Sequence, residues 1–176
     1  RVIRIEAVGG DDTVRSLLRQ ARRVVEDIDR SGATRALRSI ESVSLTVAGT
    51  GFTVDRFDTT PDREALADVI VEVGRVAASK DVGVALAIDE AQMVDSHDLR
   101  RILAGVHHCN QDGLPLFAAL AGLPNLVGVV ASASTYAERM FRVTDLGPLT
   151  PEEVRQAVVR PAQELGVGWS PEATEA

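Results

Sequence analysis

The stretch that decides the fold is VALAIDEAQ, residues 84–92. Five consecutive apolar residues, Val84 to Ile88, are followed directly by Asp89 and Glu90. A short strand that is apolar on both faces is typical of an inner position in a parallel sheet, where both faces are covered. A carboxylate directly after such a strand lies at the carboxyl edge of the sheet, where α/β folds bind their ligands. The stretch therefore predicts an α/β fold with a candidate site at Asp89 and Glu90.

The segments before this strand alternate between strand and helix patterns. Residues 2–6 predict a short strand, and residues 43–57 predict a β-hairpin or two short strands around Gly49-Thr50-Gly51. A second helix begins at Thr60-Pro61 and ends near Lys80. The first helix has one apolar face, made by Val14, Leu17, Leu18, Ala21, Val24, Val25 and Ile28.

The segments after it continue the alternation. A helix capped by Asp95 or Ser96 leads to an apolar strand at Leu116–Ala121. A short helix, a weak strand at Phe141–Thr144 and a helix from Thr150 to about Leu165 complete the order. Alternating strands and helices predict an α/β fold.

Composition and charge limit the function classes. The net charge of −7 does not support a nucleic-acid-binding face on this segment, because phosphate contacts need clustered basic residues. No apolar run approaches the ~20 residues of a membrane span. The single cysteine, Cys109, excludes an internal disulfide and suits a reducing compartment. With an N-terminus that alternates like a strand at once, these features predict a cytoplasmic protein.

Both ends predict a segment of a longer protein. The sequence begins inside a strand, and SPEATEA at the other end has the cap, proline and glutamate of a helix start.

Asp89 and Glu90 have the chemistry of a magnesium-dependent phosphate site. Asp89 would hold the ion through water, since magnesium keeps most of its waters, and Glu90 would orient and deprotonate an attacking water. The alternative is two solvated carboxylates at a strand end. A phosphate loop, G-x-x-x-x-G-K-[ST], is absent from the sequence, because the only lysine, Lys80, follows Ala77-Ala78-Ser79 and precedes Asp81.

Metal ligation through His107, His108 and Cys109 is disfavoured. Adjacent helical residues diverge by about 100° each, so three in a row do not converge on one ion.

The order of these segments resembles the nucleotide-binding domain of AAA+ ATPases, in particular the bacterial origin-recognition-like ATP-binding proteins that grade into signalling ATPases. VIRIEA is similar to the strand after the first helix of that family, VALAIDEAQ to its Walker B strand and LPLFAALAGLP to its sensor strand. STYAERMF resembles its arginine-bearing segment, and LGPLTPEEVRQAV the entry to its helical lid. The resemblance implies a three-layer α/β/α sandwich with a mostly parallel sheet. This AAA+ core would span 1–147 without its first strand and phosphate loop, and the start of a helical lid would span 148–176.

The resemblance also implies roles for single residues. Asp89 would bind the magnesium of Mg-ATP, Glu90 would act on water, and Arg139 would reach the γ-phosphate of a neighbouring subunit in a homo-oligomer. Arg155 or Arg160 would be a sensor arginine on the lid. The alternatives are an Arg139 paired with Glu138 or Asp145 on the surface, and solvated arginines on the lid helix.

The predicted sensor strand departs from the family pattern. It ends in Ala121-Gly122 without the usual polar side chain, and Asn125 is a weak substitute.

The sequence therefore predicts a fragment of an ATP-binding and slowly hydrolysing switch protein, with protein partners and with ATP and Mg²⁺ as ligands of the parent. The chain alone is expected to be inactive and to hold neither ligand tightly. Two alternatives stay open: a non-catalytic interaction scaffold that keeps the fold, and part of a DNA-handling ATPase. A phosphate-loop motif in the coding sequence before Arg1 would favour the ATPase, and its absence the scaffold.

Overall fold

The structure, a computed structural model, describes residues 1–28, 65–170 and 173. Its core is a parallel sheet of three strands, β1 (Val2–Glu6), β2 (Val84–Asp89) and β3 (Leu116–Leu120), in the order β1-β2-β3. The α-helices of the same unit are α1 (Gly10–Ile28), α2 (Leu66–Ser79), α3 (Ser96–Gln111), α4 (Leu126–Ala133) and α5 (Ala137–Met140), and a 3₁₀ turn spans Ala91–Met93. The fold is thus mixed α/β, as the alternation of patterns predicts.

The strand register builds one continuous apolar face. Ile3, Leu86 and Ala118 lie side by side across the sheet, and so do Ile5, Ile88 and Leu120. Parallel strands joined in one direction place their right-handed crossover helices on the same face, so α1, α2 and α3 cover this row. The apolar face predicted for α1 is confirmed, since the helix packs it into this core, and α2 also buries one apolar face there.

The helices pack closely because a glycine lies at their contact. A Cβ on Gly105 of α3 would lie 2.9 Å from the carbonyl oxygen of Ala67 on α2. Asp95 caps α3, since its carboxylate accepts a hydrogen bond from the His97 N–H at 2.9 Å.

The two edges of the sheet differ. At the β1 edge the side chain of Gln20 accepts a hydrogen bond from the Arg4 N–H at 3.0 Å and donates one to the Arg4 carbonyl. A side-chain amide of α1 thus takes the place of a further strand. At the β3 edge no further strand of the described residues pairs, and Phe117 is 67% exposed.

The opposite face of the sheet is more open than the helix-covered face. Val2, Ala85 and Phe117 lie in one row across it, and Val2 and Phe117 are exposed. The sequence predicts that both faces of β2 are covered. In the described residues only one face has that cover from α1, α2 and α3, so a three-layer sandwich stays a prediction.

The predicted strand at Phe141–Thr144 is wrong, because residues 141–150 have no regular secondary structure. A strand is stable only when it pairs with another, and none of the described strands forms a ladder with these residues. The predicted hairpin at 43–57 and the helix start at Thr60-Pro61 lie outside the described residues.

A second unit, Val143–Ala176, separates from Arg1–Arg142. Its helical run consists of α6 (Pro151–Val154), a π-helical turn (Arg155–Val159) and α7 (Arg160–Glu164). The predicted start is confirmed: Thr150 and Glu153 form a reciprocal capping box, and Pro151 follows the cap. Pro161 has no N–H to offer the carbonyl four residues earlier, which accounts for the widened turn before it. The assignment of 148–176 as a lid stays a prediction.

Among the helices of the described ranges, none combines the length and the apolar character needed to cross a membrane.

Candidate functional site

Asp89 is the last residue of β2 and lies exposed at the carboxyl edge of the sheet. Its backbone carbonyl accepts a hydrogen bond from the Ala7 N–H at 3.0 Å, which ties it to the end of β1. Its side-chain Oδ1 accepts one from the Glu90 N–H at 2.9 Å. One carboxylate oxygen therefore orders the turn that follows β2, at the edge where α/β folds bind ligands.

Glu90 has a left-handed backbone, with φ 50° and ψ 36°. A residue with a Cβ rarely adopts this conformation, and it costs about 1 kcal/mol. Flanking hydrogen bonds hold it in place: the Met93 N–H donates to the Glu90 carbonyl at 2.8 Å, and the Ala91 N–H to the Ala121 carbonyl at 2.9 Å. Strain of this kind is concentrated at functional sites in proteins.

Gln92 joins the Glu90 side chain to the end of β3. Its Nε2 donates to Glu90 Oε2 at 2.6 Å, and its Oε1 accepts from the Leu123 N–H at 3.1 Å. The sequence analysis missed this residue. The signal was its place in DEAQ, but its role depends on the left-handed turn at Glu90, which no periodicity reveals.

Gly122 leaves the space that the Gln92 amide occupies. A Cβ at position 122 would lie 2.1 Å from Gln92 Oε1, closer than any real contact. The end of β3 therefore takes part through its backbone and through the absence of a side chain.

Lys80 lies at the other end of β2, before the strand begins at Val84. A six-residue strand spans about 20 Å, so Lys80 and Asp89 lie at opposite ends of β2. Lys80 therefore does not act as a phosphate-loop lysine for this site.

The loop between β1 and α1 lies at the carboxyl ends of the strands, near Asp89. It contains glycines there, but no side chain that would bind phosphate. Gly9 and Gly10 have positive φ, and a Cβ on Gly9 would lie 3.6 Å from the Met93 carbonyl. The loop thus touches the turn after β2. Asp12 in the first turn of α1 opposes an anion there.

Arg139 lies exposed on α5, a single helical turn. The turn is anchored by the fully buried Ala137 and by Tyr136, whose ring stacks on His107 of α3 at 4.4 Å. Arg139 makes no ion pair with another described residue, and the side chain of Glu138 lies outside the description. The structure brings Arg139 into no contact with Asp89 or Glu90.

Arg155 and Arg160 belong to the second unit. Each faces a glutamate of its own helical run: Arg155 Nη1 lies 3.6 Å from Glu152 Oε2, and Arg160 Nε lies 3.4 Å from Glu164 Oε1. Both side chains are exposed, so these pairs are solvated surface pairs. Their predicted sensor role stays a prediction.

The His107-His108-Cys109 run points in different directions. Cys109 is fully buried with its Sγ 3.6 Å from the Ile70 carbonyl, while His108 is exposed. Burial, with a further contribution from Asp112, raises the pKa of the Cys109 thiol to about 11. The described ranges contain no group of three or more His, Cys, Asp or Glu side chains that could hold a metal ion.

No family model, curated protein or solved structure matches the chain.

Proposed function

We propose that the chain is part of an AAA+-type ATPase and carries the magnesium- and water-directed carboxylates of its site. The observation that supports this most directly is the position of Asp89 and Glu90 at the carboxyl end of β2, the central strand of a parallel sheet. Ligand sites of α/β folds lie at this edge. The strand order β1-β2-β3, with Walker-B-like and sensor-like strands adjacent, agrees with the resemblance in the sequence.

Each carboxylate has a separate task in this proposal. Asp89 would hold the magnesium ion of Mg-ATP through water, and its Oδ1 accepts a hydrogen bond from the Glu90 N–H at 2.9 Å. Glu90 accepts the proton of the water that attacks the γ-phosphate, through the oxygen that Gln92 does not engage. Arg139 acts on the γ-phosphate of a neighbouring subunit in a homo-oligomer, and its exposure is compatible with that role.

The open edge of β3 agrees with a further strand beside it in the complete fold, where the strand leading to a phosphate loop would pair. Residues 1–176 contain no phosphate-loop motif. Since the backbone N–H groups and lysine of that loop make most phosphate contacts, the chain alone is expected to be inactive.

The test uses the complete gene product, with the coding sequence on both sides of residues 1–176. Glu90→Gln should bind Mg-ATP as the parent does but lose turnover by about 10²- to 10⁴-fold, because an amide cannot accept the proton. Asp89→Asn should weaken magnesium-dependent binding instead. Glu26→Gln, which changes an exposed glutamate of α1, is the matched control and should change neither.

Parental turnover in Glu90→Gln would show that the carboxylate assignment is wrong. A complete gene product that binds no Mg-ATP would favour the second candidate function, a non-catalytic interaction scaffold. The observation that supports this candidate is the absence of a polar side chain at Ala121-Gly122. Activity regained on mixing Arg139→Ala with Glu90→Gln subunits would place Arg139 at a subunit interface.

A further inference from the structure

We infer that Gln92 is a positioning residue that fixes the Glu90 carboxylate to the end of β3. The inference rests on the proposed function, because positioning matters only if Glu90 acts on water. It concerns a residue with no role in that proposal so far.

The amide of Gln92 fits its two partners in one orientation only. An ionised carboxylate only accepts hydrogen bonds, and a backbone N–H only donates them. Nε2 must therefore face Glu90 Oε2, at 2.6 Å, and Oε1 must face the Leu123 N–H, at 3.1 Å. The shorter of the two is a charge-assisted hydrogen bond, the stronger kind. The side chain is thus a bridge between the turn after β2 and the turn after β3.

The backbone around the bridge reinforces it. The Ala121 N–H donates to the Ile88 carbonyl at 2.9 Å, and the Ala121 carbonyl accepts from the Ala91 N–H at 2.9 Å. These bonds keep the two strand ends aligned on either side of Glu90. Gln92 extends that alignment from the backbone to the carboxylate itself.

Gly122 is an independent sign that the bridge is built into the fold. Any side chain at this position would place its Cβ 2.1 Å from Gln92 Oε1 and push the amide away. A glycine here preserves the bridge, and its φ is not in the left-handed region that would require glycine for backbone reasons.

The bridge settles which part of the Glu90 carboxylate can react. Oε2 is engaged by Gln92, while Oε1 accepts no hydrogen bond from another described residue. Holding Oε2 fixes the side-chain torsions, so Oε1 keeps one direction for a water. A general base must lie within hydrogen-bond reach of the proton it takes, so this fixed geometry supports turnover rather than nucleotide binding.

Two substitutions break the bridge from opposite sides. Gln92→Met keeps the length of the side chain and removes both hydrogen bonds. Gly122→Ala leaves Gln92 unchanged and fills its space. Gly128→Ala on α4 is the matched control, because a Cβ there meets nothing within 4 Å.

The first measurement is amide hydrogen exchange at Leu123 in the chain of residues 1–176, without nucleotide. Gln92→Met and Gly122→Ala should both speed this exchange, and Gly128→Ala should not. An unchanged rate at Leu123 in both variants would overturn the bridge.

The second measurement is steady-state ATP hydrolysis by the complete gene product. Gln92→Met and Gly122→Ala should each lower kcat by about 10- to 100-fold with KM for Mg-ATP nearly unchanged. The double variant should be no slower than either single one, because both remove the same bridge. Additive losses, a raised KM, or faster Leu123 exchange with unchanged kcat would overturn the positioning role alone. Parental turnover in Glu90→Gln would overturn the proposed function and the positioning role together.

Discussion

The Cys109 thiol is buried in the contact between α2 and α3, where its ionised form is disfavoured. Its pKa rises from 9.0 to about 11, first because of burial and second because of Asp112. Between these two values the unfolded chain loses the thiol proton and the folded chain keeps it. The free energy of unfolding must therefore fall as the pH rises from about 9 to about 11. Below pH 9 the thiol is protonated in both states, and the buried thiol stabilises the folded chain in full.

Urea unfolding at about pH 8 and about pH 10 tests this prediction, with Cys109→Ala as the reference that removes the titrating group. The stability advantage of the parent over the variant should shrink at the higher pH. An advantage that stays constant would mean that the thiol ionises equally in both states.

Gly105 tests how tightly α2 and α3 pack. Alanine is about 1 kcal/mol better than glycine inside a helix, so Gly105→Ala would stabilise the protein if there were room. The new Cβ would instead lie 2.9 Å from the Ala67 carbonyl oxygen and 2.9 Å from Ile70 Cβ. A backbone oxygen cannot move aside without moving α2, so we expect a net loss of about 1–3 kcal/mol.

The control for this packing prediction is Gly128→Ala on α4, where the space is open and the helix preference should stabilise slightly. The same urea experiment compares the two. A gain in stability in both variants would show that the helices separate at no cost.

At the scale of elements, the position of β3 at the edge of the sheet predicts that fast and slow hydrogen exchange alternate along the strand. The Ala121 N–H and the Pro115 carbonyl both bond to β2, so by the parity of a parallel ladder Phe117 and Ala119 also face β2. The N–H groups of Ala118 and Leu120 then point away from it. Hydrogen exchange in a monomer should be slow at Phe117 and Ala119 and fast at Ala118 and Leu120.

The composition of this edge gives the result further weight. Residues 113–137 contain no charged side chain, although edge strands are usually protected by charge, proline or a bulge. Slow exchange at Ala118 and Leu120 in a chain shown to be monomeric would mean that another part of the same chain pairs with β3. Slow exchange that appears only on association would identify this edge as an intermolecular contact.

The elements also show what the sequence could and could not predict. β1 and the first three helices follow from the periodicity of their apolar residues, and β2 and β3 from their uninterrupted apolar runs, because these residues pack in or against one core. The strand at Phe141–Thr144 fails because alternation does not tell whether a partner strand is near. The Gln92 bridge is invisible in the sequence because it needs a left-handed Glu90 and an empty Cβ position at Gly122.

The two carboxylates of the site were predictable for a different reason. A fully apolar strand followed by Asp89 and Glu90 fixes their place at the edge of a parallel sheet before any contact is known. The positions of Arg139, Arg155 and Arg160 relative to that edge were not predictable in this way. They depend on how separate elements pack, and local pattern carries no information on that.

At the scale of the whole molecule, charge and topology together predict the affinity of the chain of residues 1–176 for Mg-ATP. The chain carries a net charge of −7, and its candidate site presents Asp89 and Glu90 to a polyphosphate of the same sign. Its one lysine lies about a strand length away at the opposite end of β2. At the assigned site, attraction is therefore expected to come through magnesium and its waters. We expect a dissociation constant for Mg-ATP weaker than about 1 mM, which corresponds to less than about 4 kcal/mol of binding free energy.

Isothermal calorimetry at low ionic strength measures this dissociation constant, with Asp89→Asn as the control that removes the magnesium-directed carboxylate. A micromolar constant in the parent chain would reveal a phosphate site outside the residues assigned to it. If Asp89→Asn abolished that tight binding, Asp89 would be part of the site, and if it had no effect, the nucleotide would bind elsewhere on the protein.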